Sequence, residues 1–121
     1  MSLIKTKSIL KPKEDLDGIR IAVMRRVRPD HEFDLWFPVL SPSTELVESY
    51  AKNNEISWEE FVPKFFEELK LNEHYLNYLV EMAKDKPVTL LCYKEEGGSC
   101  HRSLLLKKIK ELFPEQKIEH D

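Results

Sequence analysis

At 121 residues the chain is long enough to bury one core without disulfide or metal staples, and short for two independent domains. A net charge of −3 argues against nucleic-acid binding through an overall basic surface, leaving only a local basic patch for such a partner. Hydrophobic residues make up 41%, yet no run approaches the roughly 18–20 apolar residues that a membrane-spanning helix needs, so no membrane partner is expected.

The first residues, Met1 to Lys7, lack the apolar stretch of a secretory signal, and the expected location is the cytoplasm. Leu3 to Leu10 alternates imperfectly between apolar and polar and predicts a half-buried first strand, ended by Lys11-Pro12. Asp17-Gly18 is a turn signal, and the β-branched run Ile19 to Met24 behind it predicts a largely buried strand. Arg25, Arg26 and Arg28 follow directly. Pro29 to Pro38 reads as a loop carrying Phe33, Trp36 and Phe37. Ser41-Pro42 sets a capping hydroxyl before a proline at a first helical position, with Glu45 in the first turn, and predicts a helix from about Pro42 to Lys52.

Ser57-Trp58-Glu59-Glu60 fits a capping box. Behind it Trp58, Phe61, Val62, Phe65, Phe66 and Leu69 are spaced i, i+3, i+4, i+7, i+8 and i+11, one continuous stripe of core on a helix. Pro63 conflicts locally with that helix, because an interior proline removes a hydrogen bond. Asn72 is the expected cap of a third helix that buries Leu76, Leu79, Val80 and Ala83 and ends before Pro87. Val88 to Cys92 is a short strand, Ser103 to Phe113 is helical by pattern, and Gln116 to His120 is a candidate last strand.

The sharpest chemistry lies between Cys92 and Leu106. A buried strand runs into Tyr93-Lys94-Glu95-Glu96-Gly97-Gly98, and Ser99 is positioned to cap a helix opening with Cys100-His101-Arg102. The first amides of such a helix lack intrahelical acceptors and the macrodipole adds positive potential, so an anion is favoured there. Gly97 and Gly98 allow close backbone approach to a ligand, and Arg102 can add a charge-assisted bond to phosphate, sulfate or carboxylate. The same field would stabilise a Cys100 thiolate. Each feature also has a purely structural reading. Cys92 ends an apolar strand and suits a small core residue, His101 can simply bond a neighbouring backbone carbonyl, and the three arginines can be solvated or paired with the acidic helices.

These residues resemble the domain of unknown function 488 family, in particular its YeaO-like branch. Members have a strand ending near a cysteine, a polar loop, and Cys-His-Arg-Ser or Asn-His opening a helix, matched here by Cys92 and Cys100-His101-Arg102-Ser103. Upstream, Trp36, Leu40, Pro42-Ser43-Thr44-Glu45-Leu46, Trp58, Phe61, Phe65 and Glu68-Leu69 also match. After its second strand that branch usually reads Asp-Arg-Leu-Trp-Pro-Arg-Gly, whereas this chain has Met24-Arg25-Arg26-Val27-Arg28-Pro29-Asp30, so only Arg25 carries over. The resemblance implies an α/β fold and no particular activity.

The element order predicts a single small three-layer α/β domain, residues 1–121: a short, mostly parallel sheet flanked by about four helices in a Rossmann-like or flavodoxin-like arrangement. If the strands at 19–24 and 88–92 are parallel, their C-terminal ends share one edge, where ligands of open α/β sheets bind. Arg25, Arg26, Arg28, Lys94 and Arg102 are then candidates to converge there. Cys92, Cys100, His101 and His120 match no close cysteine pair of the kind zinc uses, so no metal is expected. The Walker-type loop, dinucleotide fingerprint and His-Glu-x-x-His motif are absent from the sequence, and no cofactor is expected. Two function classes follow. In the first, the edge binds a small anionic, phosphate-bearing ligand through Arg25, Arg26, Gly97, Gly98, Ser99 and Arg102. In the second, Cys100 is the nucleophile or redox thiol of a phosphatase-, sulfurtransferase- or redox-like enzyme, with His101 moving protons.

Overall fold

The structure, a computed structural model, describes residues 2–93 and 101–120. Its strands are β1 (Ile4–Ser8), β2 (Ile19–Ala22), β3 (Leu35–Trp36), β4 (Val88–Cys92) and β5 (Ile118–Glu119). Its helices are α1 (Thr44–Val47, continued by a π-helical turn at Glu48–Lys52), α2 (Trp58–Lys70), α3 (Glu73–Met82) and α4 (His101–Leu112). The strands form one sheet in the order β3-β2-β4-β1-β5, and every pairing is parallel.

Alternation along the strands separates two faces of the sheet. Ile4, Ile21, Val88 and Leu90 join the main core with Leu46 of α1, Phe61, Phe65 and Leu69 of α2, Leu76 and Leu79 of α3, and Leu105 and Ile109 of α4. The opposite face is covered by connecting segments: Ala22 and Leu91 pack with Ile9 and Met24, flanked by Val27 and Phe33. This is a small three-layer α/β domain in which one outer layer is helical and the other is a 3₁₀ turn, Asp15–Asp17, with its neighbouring connections.

That second layer buries charge. Register aligns Lys5, Thr89 and Arg20 across β1, β4 and β2, and Asp17 lies over this rung with no exposure. Its carboxylate accepts from Lys7 Nζ at 3.0 Å, Arg20 Nη1 at 2.7 Å and the Glu14 backbone N–H at 3.0 Å, with Lys5 Nζ at 3.3 Å. Thr89 Oγ1 donates to the Asp17 carbonyl. Burial alone would raise the Asp17 pKa, but the Glu14 amide and the three cations outweigh it and hold the carboxyl well below its usual range. For Lys7, burial pushes the ammonium down, and the Glu14 and Asp17 carboxylates overcome that and raise its pKa. Gly18 follows at φ 62°, where a Cβ would stand 2.0 Å from the Pro87 carbonyl oxygen, so this position needs glycine on both counts.

Several predicted boundaries move. The first cap is Ser43 rather than Ser41: Ser43 Oγ accepts from Leu46 N–H, while Ser41 Oγ turns back to the Pro38 carbonyl, and the helix opens at Thr44. The expected loop Pro29 to Pro38 contains β3, because Leu35 and Trp36 add to the edge of β2. Pro63 lies within α2 and is exposed, so the acceptor it leaves unpaired is on the solvent side. The Ser57–Glu60 capping box forms with both of its bonds.

Candidate functional site at the C-terminal sheet edge

The parallel pairing of β2 with β4 brings the C-terminal ends of these strands side by side, Ala22 opposite Leu91, with Val23 N–H donating to the Leu91 carbonyl. The segment carrying the arginines therefore leaves the sheet beside the end of β4, and the first turn of α4 returns to the same place. His101 joins the three elements. Its Nε2 lies 2.6 Å from the Val23 carbonyl oxygen and its Nδ1 lies 3.6 Å from Cys92 Sγ. A carbonyl only accepts, so Nε2 carries a proton, and when the ring holds that proton alone Nδ1 is the acceptor that faces sulfur. Such a pair can pass the thiol proton to the imidazole. Cys92 is buried, and Phe65 of α2 meets the His101 ring edge-on at 6.0 Å.

The sequence-predicted residues are distributed unevenly around this point. Arg102 is fully buried, in the first turn of α4. Gly97, Gly98, Ser99 and Cys100, together with Lys94, lie outside the described residues. Arg25 is exposed, and its Nη2 donates to the carbonyls of Ser41 and Pro42 at 3.3 and 3.0 Å, so a backbone bend fixes its guanidinium. Arg26 is exposed. Arg28 is exposed, its guanidinium 5.1 Å from the centre of the Tyr93 ring. Trp36, half exposed, donates its indole N–H to the Met24 carbonyl at 2.7 Å. His120 is placed by β5 on Thr6, its Nδ1 2.7 Å from Oγ1.

A groove of about 310 Å³ opens beside Arg25, between the Val39–Ser43 segment and the C-terminal half of α2. Phe65 lines it, so the His101 ring and the groove share a wall. Its other charged wall is Glu68, whose carboxylate accepts both the N–H and the Oγ–H of Ser43, at 2.8 and 2.5 Å. In the sequence Ser43 and Glu68 stand out only as residues that match the family, with no role assigned to either. The available signal was a carboxylate set between core positions Phe65 and Leu69, too close to the buried stripe to be an ordinary solvated residue.

The fold and this edge define a small α/β domain with an all-parallel sheet that ends on a cysteine–histidine contact. The chain belongs to the domain of unknown function 488 family, within its YeaO-like branch: residues 4–112 match the model described as DUF488-N3a, Active DUF488-N3 subclade. It is similar to the Uncharacterized protein YeaO of Escherichia coli (strain K12), 30% identical over 108 residues that cover 85% of this chain and 92% of that protein. No solved structure matches. Among the described residues no helix is long and apolar enough to cross a membrane.

Proposed function

We propose that the C-terminal edge, from Cys92 to Arg102 with Arg25 and Arg26 beside it, binds a small anionic, phosphate-bearing ligand. The observation that carries this reading is the His101–Val23 bond, which ties the first turn of α4 to the strand leading into Arg25 and Arg26. A helix of 12 residues then directs the positive end of its dipole to an edge that already carries exposed guanidinium groups. In this reading the amides of Gly97, Gly98 and Ser99 and the Arg102 guanidinium complete the cradle. Inorganic phosphate titrated into the ¹⁵N-labelled protein tests it: saturable shifts of the amides of residues 97–103 are expected, weakened in Arg26→Ala. Phosphate leaving those amides unmoved refutes it.

A second reading, a cysteine-dependent enzyme, is favoured by the Cys92–His101 contact and by the word "active" in the description of the matching subclade. Cys100 is its nucleophile in the first instance, yet the sulfur that faces the imidazole among the described residues is that of Cys92. Alkylation rates measured against pH in Cys92→Ser and Cys100→Ser separate the two thiols. An apparent pKa near the ordinary value of about 8.5 for both counts against any nucleophile. Undiminished phosphate affinity in Cys100→Ser favours binding without turnover.

A further inference from the structure

We infer that the groove between Arg25 and Glu68 takes a small zwitterion, with an anionic group, carboxylate or phosphate, on Arg25 and an ammonium on Glu68. The inference rests on the anion-binding reading above for the role of Arg25 and goes beyond it in naming the opposite end of the ligand. The two charged residues line one groove without pairing with each other. Each is instead fixed by neutral partners: Arg25 by the Ser41 and Pro42 carbonyls, and Glu68 by the N–H and hydroxyl of Ser43.

Neutral partners hold position without cancelling charge. Arg25 retains Nε and Nη1 with no partner among the described residues, and each Glu68 oxygen retains a lone pair beyond its single bond to Ser43. The rest of the lining is mostly apolar, Val39, Phe65, Leu69 and Leu71, joined by Ser41, Ser43 and Asn72. Opposite charges lining one groove with a largely apolar wall fit a molecule that carries both an anionic and a cationic group on a small aliphatic body. A simple anion leaves Glu68 unmatched and is repelled by it. A cation alone meets the same difficulty at Arg25. The groove's volume, near the lower end of the ~300–1,000 Å³ range of ligand sites, suits a ligand of amino-acid size. Phe65 also places this ligand next to the His101 ring.

The test uses the full chain and amide spectra with four probes: phosphoethanolamine, leucine, and the half-ligands ethanolamine and inorganic phosphate. Both zwitterions, or the one whose anion Arg25 accepts, are expected to shift Ser43, Leu69 and Asn72 amides at concentrations up to about 10 mM, at least about tenfold more tightly than either half-ligand. A response to one zwitterion alone supports the inference and identifies the anion as phosphate or carboxylate. Glu68→Gln, which preserves shape and can still accept from Ser43, is expected to lose about tenfold or more for the zwitterions, with the phosphate response at residues 101–103 unchanged. Arg25→Gln loses zwitterion binding while retaining the wild-type amide pattern in the sheet. Zwitterions that bind the groove no better than phosphate, or with affinity unaltered by Glu68→Gln, overturn the inference. Zwitterions that leave Ser43, Leu69 and Asn72 unmoved while phosphate shifts residues 97–103 overturn it and leave the anion-binding reading intact. A groove response to leucine with no phosphate response at 97–103 does the reverse.

Discussion

Replacing Asp17 by Asn removes one negative charge from a site where its side chain has no exposure and where Lys7 and Arg20 are also buried. The amide keeps the size of the carboxylate but cannot accept from the Glu14 amide, Lys7 and Arg20 with both of its heteroatoms, and it leaves Lys5 and Arg20 facing a neutral group while Lys7 keeps only its Glu14 partner. Breaking a buried ion pair by removing one partner costs about 3–5 kcal/mol. At roughly 4 °C per kcal/mol for a chain of this size, the melting temperature should fall by about 10–20 °C. Urea unfolding followed by Trp36 and Trp58 fluorescence measures the loss directly. The pH dependence has a definite sign. The folded-state pKa of Asp17 is depressed, so its contribution is present in full above the unfolded value of about 3.9 and is lost as pH falls through the folded value. The difference between wild type and variant should thus be constant near neutrality and shrink only in strong acid. A loss under about 1 kcal/mol at pH 7 would refute this account, because it would mean that water reaches the cluster and screens it.

Gly18→Ala should cost at least about 2 kcal/mol by thermal unfolding, since the new methyl group meets the Pro87 carbonyl and the φ of 62° is strained for any L-residue. Phe65→Ala should cost about 3–5 kcal/mol in urea unfolding and remove the edge-on contact that holds the His101 ring, visible as a change in its imidazole resonances. Ser57→Ala should cost about 1 kcal/mol as an ordinary lost cap. Ser43→Ala should exceed it, because the Ser43 hydroxyl serves the Leu46 amide and Glu68 together. Lys7→Met should destabilise most below the ordinary lysine range and converge with wild type as pH rises through the raised folded-state pKa of Lys7, measured by alkaline unfolding.

Much of the fold is legible in short-range pattern. The stripe from Trp58 to Leu69, the Ser57–Glu60 box, the strand Val88–Cys92 and the Asp17-Gly18 turn follow from interactions within about four residues, where periodicity and capping are decided. The same locality explains the misplaced cap. Ser41, directly before a proline, reads locally as the cap, and Glu68, 25 residues from Ser43, favours Ser43 instead. β3 is missed because two exposed residues carry no alternation and become a strand only through the free edge of β2.

The sequence by itself determined the α/β class, the helical faces, the β4–α4 succession and the family motif around Cys100-His101-Arg102. Tertiary structure alone decided that β4 enters between β1 and β2, and every functional neighbourhood follows from that insertion. It aligns Lys5, Thr89 and Arg20 beneath Asp17, sets Val23 beside the end of β4 so that His101 can bridge the carbonyl and Cys92, and leaves Arg25 across a groove from Glu68. The physical reason is range. Helix stripes and caps are encoded by neighbours along the chain, whereas strand order and charge partnership depend on which surfaces, tens of residues apart, exclude water together.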